Sequence, residues 1–137
     1  MLTITDVVQR SGVASSALRY YERLGLLRST GRSGGKRTYG DDVFEQLAAI
    51  DLFQQCGFTL AEIVRILGPD GRVDAEWRTV AKAKLVELEE RAAALERARV
   101  MLAHTTRCPR DVLHECPTYR GFLRVHAEAG LIPSQPS

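Results

Sequence analysis

Residues 11–39 read SGVASSALRYYERLGLLRSTGRSGGKRTY, and this stretch decides the fold. Gly12 makes a turn into a short helix over residues 15–24, which carries Arg19, Tyr20 and Tyr21 and stops at Gly25. Upstream, Thr5-Asp6-Val7-Val8-Gln9-Arg10 reads as another short helix, with Thr5 placed to cap it. Two short helices joined by a glycine turn form a helix-turn-helix. Residues 26–39 then read as two strands around Arg32-Ser33-Gly34-Gly35. The Gly-Gly pair supplies the positive φ angles of a tight hairpin, so this segment is a wing.

The residue types in this stretch suit duplex DNA. Arginine pairs with phosphate, tyrosine hydroxyls bond to phosphate, and a helix fits the major groove. Helical spacing turns Leu18 and Tyr21 inward and leaves Ser16, Arg19 and Tyr20 on the outer face. On the wing, Arg32, Lys36, Arg37 and Tyr39 are the candidates for positioning the protein on the backbone. Tyr21 is equally suited to the core, and Thr38 and Tyr39 equally to packing beneath the wing. Arg10, Arg23 and Arg28 read as solvated surface. Charge is uneven: residues 1–40 hold seven Lys/Arg against two Asp/Glu, whereas the whole chain nets only +2. A basic head on a mildly acidic body separates a polyanion-binding end from an effector end.

Asp41 or Asp42 can cap a third helix reaching Cys56, with Val43, Leu47, Ile50 and Phe53 at helical spacing. Gly57 stops it. Thr59 with Glu62 forms a capping box for a fourth helix that ends at Gly68-Pro69. After the break at 68–71, residues 74–106 contain neither Gly nor Pro. As one helix they span about 45–50 Å. Leu85, Leu88, Ala92, Leu95 and Leu102 form an a/d seam, interrupted at Arg99. A helix this long cannot bury that seam within so short a chain, so a second chain, parallel or antiparallel, is expected along it; the alternative is packing against the chain's own small domain. The organisation is therefore 1–70, a DNA-binding domain; 73–106, a dimerisation helix; and 107–137, a cysteine loop, a short amphipathic helix at 118–128 and a frayed tail at 133–137.

The loop reads Cys108-Pro-Arg-Asp-Val-Leu-His-Glu-Cys116-Pro. Each thiol precedes a proline, which holds the cysteine extended. Such a loop can bring two thiolates together around a soft metal, copper or zinc, or close as a disulfide. His104 and His114 are near enough in sequence to extend the ligand set toward that of zinc. The alternative is that Cys108 and Cys116 are small buried residues beside turn prolines. Cys56 reads as core. Trp77 and Phe122 fill the core or line an apolar effector pocket.

The motifs Gly12-Val13, Leu18-Arg19-Tyr20-Tyr21-Glu22, Gly25-Leu26-Leu27, Arg37-Thr38-Tyr39 and Gly57-Phe58-Thr59-Leu60-Ala61-Glu62-Ile63 resemble the mercury-resistance-regulator (MerR) family of bacterial transcription factors. The resemblance covers roughly residues 3–106. It implies a mainly α fold: a winged helix-turn-helix domain, then a long helix pairing with its copy as an antiparallel coiled coil, then a short effector segment. It also implies a homodimer on a near-palindromic promoter operator, acting with RNA polymerase by bending and untwisting DNA in response to an effector. The sequence departs from the family in two places. Ala14 stands where the family has a Ser or Thr cap, so either Ser15 caps one residue later or the helix starts less firmly. The spacing of Cys108 and Cys116 resembles the copper-efflux branch, and also the end of the iron–sulfur branch, which uses four cysteines. Two thiols argue against a cluster. Val73 sits where the metal branches carry Ser or Cys, and no cysteine lies between Gly57 and Arg107, which argues against a three-thiolate site.

Two other function classes fit less of the chain. One is a regulator with an organic effector and structural cysteines, or a non-regulatory DNA architecture or recombination factor built on the same head. The other is a thiol oxidoreductase, which lacks a Cys-x-x-Cys motif and a substrate fold, so no enzyme is expected. No apolar run approaches the ~20 residues of a membrane span, and Met1-Leu2-Thr3 leads straight into the first helix. A cytoplasmic protein is expected, and an odd cysteine count, three, agrees with it.

Overall fold

A computed structural model describes residues 1–130 of the chain; the expected frayed tail at 133–137 lies outside them. The fold is mainly α. In chain order the elements are β1 (Leu2–Thr3), α1 (Ile4–Ser11), α2 (Ser15–Arg23), β2 (Ser29–Ser33), β3 (Lys36–Tyr39), α3 (Val43–Gln55), α4 (Leu60–Leu67), α5 (Ala75–Arg107), a 3-10 turn (Leu113–Glu115) and α6 (Pro117–Glu128). Two compact units result, residues 1–86 and the chain from Glu87 onward, with α5 contributing to both.

The first unit begins with a cap two residues earlier than expected. Thr3, not Thr5, caps α1: its hydroxyl accepts from the Asp6 amide, and the Asp6 carboxylate accepts from the Thr3 amide. The reciprocal bonds satisfy two helix-end donors, and they lower the Asp6 carboxyl below its usual range. Gly12 closes α1 in the left-handed region, at φ 76°. At α2 the N-cap is Ala14, and no side chain caps the helix; Ser15 is already its first helical residue. Asp42 stands at the N-cap of α3 without a capping bond, its carboxylate accepting instead from the Gln46 amide group. Thr59 and Glu62 form the expected capping box on α4.

The wing is part of a three-stranded antiparallel sheet of order β1-β3-β2. Leu2 pairs with Tyr39 and Thr3 with Thr38, which makes β3 the central strand. The hairpin turns at Gly34 and Gly35, with φ of 58° and 79°. Centrality explains why Thr38 and Tyr39 are both buried. The Thr30 and Thr38 hydroxyls bond across the hairpin at 3.0 Å.

The core of this unit gathers Val7, Leu18, Leu27, Tyr39, Val43, Ile50 and Ile63, each almost fully buried. Trp77, near the start of α5, joins it through an aromatic cluster with Phe53 and Phe58 at centroid distances of 6.1 and 4.9 Å. Asp74 fixes that helix start, its carboxylate accepting from the Trp77 amide at 2.8 Å. Cys56 packs half-buried against the same core, as expected. Gly25 is required twice over. Its φ is +80°, and a Cβ there would meet Pro69 Cδ at 2.5 Å. The chain leaving the recognition helix thus lies directly against the loop that precedes α5.

α5 is one uninterrupted helix of 33 residues, as its freedom from Gly and Pro dictates. Its seam is uncovered in the single chain. Leu85, Leu95 and Leu102 are 54%, 71% and 62% exposed, Ala92 is exposed, and Leu88 is half-buried.

Candidate nucleic-acid interface and thiol cluster

The α2 helix presents Ser16, Arg19 and Tyr20 to solvent, while Leu18 is fully buried beneath them. This is the division that helical spacing predicts. The Arg23 guanidinium stacks 5.5 Å from the Tyr20 ring centroid, which holds the ring against the helix. Tyr21 is half-buried and packs on the core, so its ring anchors the helix. Arg32 and Lys36 are exposed on the wing, and the Lys36 ammonium donates to the Thr5 hydroxyl at 3.1 Å, tying the wing to α1. Arg10, expected as plain surface, lays its guanidinium 4.7 Å from the Phe44 ring centroid.

One residue of this head escaped the sequence reading. Glu22, on α2, accepts from Arg37 of the wing in an ion pair and from the Tyr39 hydroxyl at 3.1 Å. The single carboxylate thereby fastens the recognition helix to the central strand. The signal was present: an acid immediately after Arg-Tyr-Tyr, opposite a basic strand. Tyr39 needs correcting as a DNA-contacting candidate. Its side chain is fully buried, and its hydroxyl is engaged by Glu22. Burial, then the Glu22 carboxylate beside it, pushes that hydroxyl above the usual tyrosine range. Arg37 remains part-exposed, with its charge shared with Glu22.

In the second unit, the turn after α5 folds the chain back so that α6 starts beside the end of α5. Cys116 is the N-cap residue of α6, and Pro117 occupies its first turn, where a missing N–H costs nothing. His104 Nε2 lies 3.1 Å from Cys116 Sγ, and Cys108 Sγ lies 3.6 Å from the same sulfur. All three donor atoms fall within 4.8 Å of one another. His114, on the 3-10 turn, is exposed and stands outside this group. Cys116 is buried, and His104 and Cys108 are half-buried. The Cys116 thiol is lowered from its ordinary 9.0 to about 6, by the Tyr119 backbone N–H first and His104 next, against the opposing effect of burial. A thiolate at neutral pH is both a nucleophile and a metal ligand. Two sulfurs and an imidazole are the donors of soft and borderline metals, so these residues fit copper or zinc. With three cysteines in the whole chain, one protomer cannot supply the four thiolates of a cluster.

Beside this cluster is an apolar cavity of about 510 Å³ between α5 and α6, lined by Val100, Met101, Phe122, Leu123 and Val125 among others. The Phe122 ring meets the His104 ring edge-on at 6.0 Å. Phe122 therefore lines the cavity and buttresses the histidine.

A recognition helix braced to a basic wing, followed by one long helix, defines a DNA-binding transcription regulator. The family description "MerR HTH family regulatory protein" fits residues 2–68, and "MerR, DNA binding" fits residues 44–105. The chain belongs to the MerR family, whose members are transcription regulators and not enzymes. It is 34% identical over 122 residues to an HTH-type transcriptional activator SoxR homolog of Chromobacterium violaceum, covering 86% of this chain and 82% of that one. It is 32% identical over 127 residues to the mercuric resistance operon regulatory protein of Bacillus cereus, covering 88% and 96%. Among solved structures, HiNmlR, a MerR family regulator lacking the sensor domain and bound to promoter DNA, shares the fold at a TM-score of 0.56, with 21% identity and 94% of each chain covered. No helix among the described residues is long and apolar enough to cross a membrane.

Proposed function

We propose that this protein is a cytoplasmic homodimeric regulator that controls promoters by distorting operator DNA, and that its effector acts at the thiol pair Cys108 and Cys116. The observation that carries the sensor assignment is the convergence of both sulfurs and His104 at the end of α5. Gathering two sulfurs and an imidazole at one place is not needed for a merely structural pair of cysteines. Ser16, Arg19 and Tyr20 read the operator, and Arg32, Lys36 and Arg37 hold its phosphates. The uncovered seam of α5 supports pairing of two copies in an antiparallel coiled coil, which sets two heads on the half-sites of a near-palindrome. RNA polymerase acts at the same promoter. An effector shifts such a system only by binding one dimer conformation more tightly than the other. The DNA distortion it must drive costs a few kcal/mol, on the order of 1–6 for smoothly bending a site of about 20–30 bp.

The test is promoter output across soft metals and oxidants for the wild type and for the Cys108→Ser, Cys116→Ser double variant. The wild type is expected to respond, and the variant to bind operator but no longer switch. A variant that responds fully removes the thiols from sensing. A second reading has its own observation, the apolar cavity beside Phe122, whose volume is that of a small-molecule site. It predicts a response to an organic ligand that survives loss of both thiols.

A further inference from the structure

We infer that His104 is the third protein ligand of a tetrahedral site for a zinc-type divalent ion, with Cys108 and Cys116 as the other two and a fourth position open. This deepens the sensor assignment and rests on it. The sequence offered two histidines, and the nearer to Cys116 along the chain is His114. The fold selects the other. His104 occupies the last turn of α5, where the chain reverses through Pro109 and brings α6 back, so that Nε2 stands 3.1 Å from Cys116 Sγ. Phe122, edge-on at 6.0 Å, packs against the imidazole. A ligand whose orientation is set by a packed neighbour loses little freedom when the ion arrives.

Two distances at Cys116 bear on the coordination geometry. With metal–sulfur bonds of about 2.3 Å, two thiolates at a tetrahedral angle stand ~3.8 Å apart, whereas a linear two-thiolate ion would hold them ~4.6 Å apart. The observed separation is 3.6 Å. For a zinc–nitrogen bond of about 2.0–2.1 Å, the tetrahedral nitrogen–sulfur edge is ~3.6 Å. The observed 3.1 Å opens to that by half an ångström, within the swing of one imidazole. The two sulfurs thus stand near a tetrahedral edge and well short of a linear clamp, while the His104 and Cys108 donor atoms, within 4.8 Å of each other, draw together as the ion arrives. Three protein ligands leave one corner for water or for a group from outside the loop, an open-site pattern known for zinc. The chain lacks a third thiol in this unit, and the imidazole takes that place.

The experiment uses the full-length reduced protein, loaded with Co(II) as the spectroscopic probe and titrated with Zn(II) against a chromophoric chelator. The wild type is expected to bind one Co(II) per protomer, with intense tetrahedral d–d bands and near-ultraviolet charge transfer from two thiolates. His104→Gln is expected to keep the thiolate bands, shift the d–d envelope and weaken Zn(II) at least tenfold. His114→Gln is expected to match the wild type in both readouts. Circular dichroism checks that each variant keeps its helices. A His104→Gln protein with wild-type spectrum and Zn(II) affinity overturns the ligand assignment, and so does a wild type that takes Cu(I) at two thiolates but no tetrahedral Co(II). Wild-type Zn(II) affinity in the Cys108→Ser, Cys116→Ser variant also overturns the site, whereas a full promoter response of that variant to metals and oxidants would instead remove the sensor assignment itself. The two failures are therefore distinguishable.

Discussion

Glu22 on the recognition helix and Arg37 on the wing form an ion pair, and the same carboxylate accepts from the buried Tyr39 hydroxyl. The two DNA-facing elements are consequently held in one relative position before any DNA arrives. Glu22→Gln keeps the shape but weakens both bonds, each charge-assisted and worth about 1.5–3 kcal/mol. It also releases Arg37 toward phosphate. The expected result is a fall of about tenfold in the ratio of operator to random-DNA affinity, with random-DNA affinity equal or higher. Competition binding at fixed salt measures it. An unchanged ratio would mean that the brace plays no part in recognition.

Arg19 and Arg32 separate reading from positioning. Arg19→Ala, on the exposed face of α2, is expected to cost about 1–3 kcal/mol on the operator and to relax preference at one base pair. Arg32→Ala, on the wing, is expected to weaken all duplexes alike and to reduce the slope of log K against log salt by about 1. Salt-dependent affinity on operator and scrambled duplex distinguishes them, and identical behaviour of the two variants would contradict the division.

The seam of α5 is predicted to be covered by a second copy. Leu95→Glu with Leu102→Glu places charges where 71% and 62% of each leucine is now exposed, so the isolated chain tolerates them. The helix content should stay the same while sedimentation shifts from dimer to monomer and operator affinity collapses. A wild type that sediments as a monomer at micromolar concentration rules out the coiled-coil assignment.

The Cys116 thiol offers a pH readout in the metal-free protein. Its folded value of about 6 lies below the ordinary 9.0, so the thiolate form dominates at neutral pH and disappears as pH falls through about 6. The sign for stability follows. A depressed acid contributes stability that is fully present above its unfolded value and is lost as pH falls through its folded one. Ultraviolet thiolate absorbance should therefore show a transition near pH 6 that vanishes in Cys116→Ser and moves upward in His104→Gln. Absence of any thiolate below pH 8 in the wild type would contradict the hydrogen-bond geometry around that sulfur.

Much of this fold was legible because its signals are local. Gly12, Gly34-Gly35, the Thr59–Glu62 box and the Gly/Pro-free run after residue 74 each act within a few residues, and each appears where expected. What was not legible depends on pairing at a distance. A two-residue strand such as Leu2–Thr3 carries no period, so its pairing with β3 is invisible in the sequence, and nothing there decides between the two roles open to Tyr39. Thr3 caps in place of Thr5 because Asp6, three residues on, completes its box. His104 was no better placed than His114 by sequence spacing, since only the reversal after α5 brings it to Cys116.

The DNA-facing residues all fall within residues 1–86, whereas His104, Cys108 and Cys116 all fall in the unit that starts at Glu87. The stretch from His104 to Cys116 carries all three residues of the candidate cluster in one continuous piece of chain. On the proposed sensor reading, a lineage can rewrite what it detects by altering that short piece while every operator it already controls stays readable. The reverse holds as well: the head can drift toward new promoters without disturbing detection. Gene duplication followed by independent change at either end is thus an accessible evolutionary route, and a chimera that exchanges only this stretch is its laboratory counterpart.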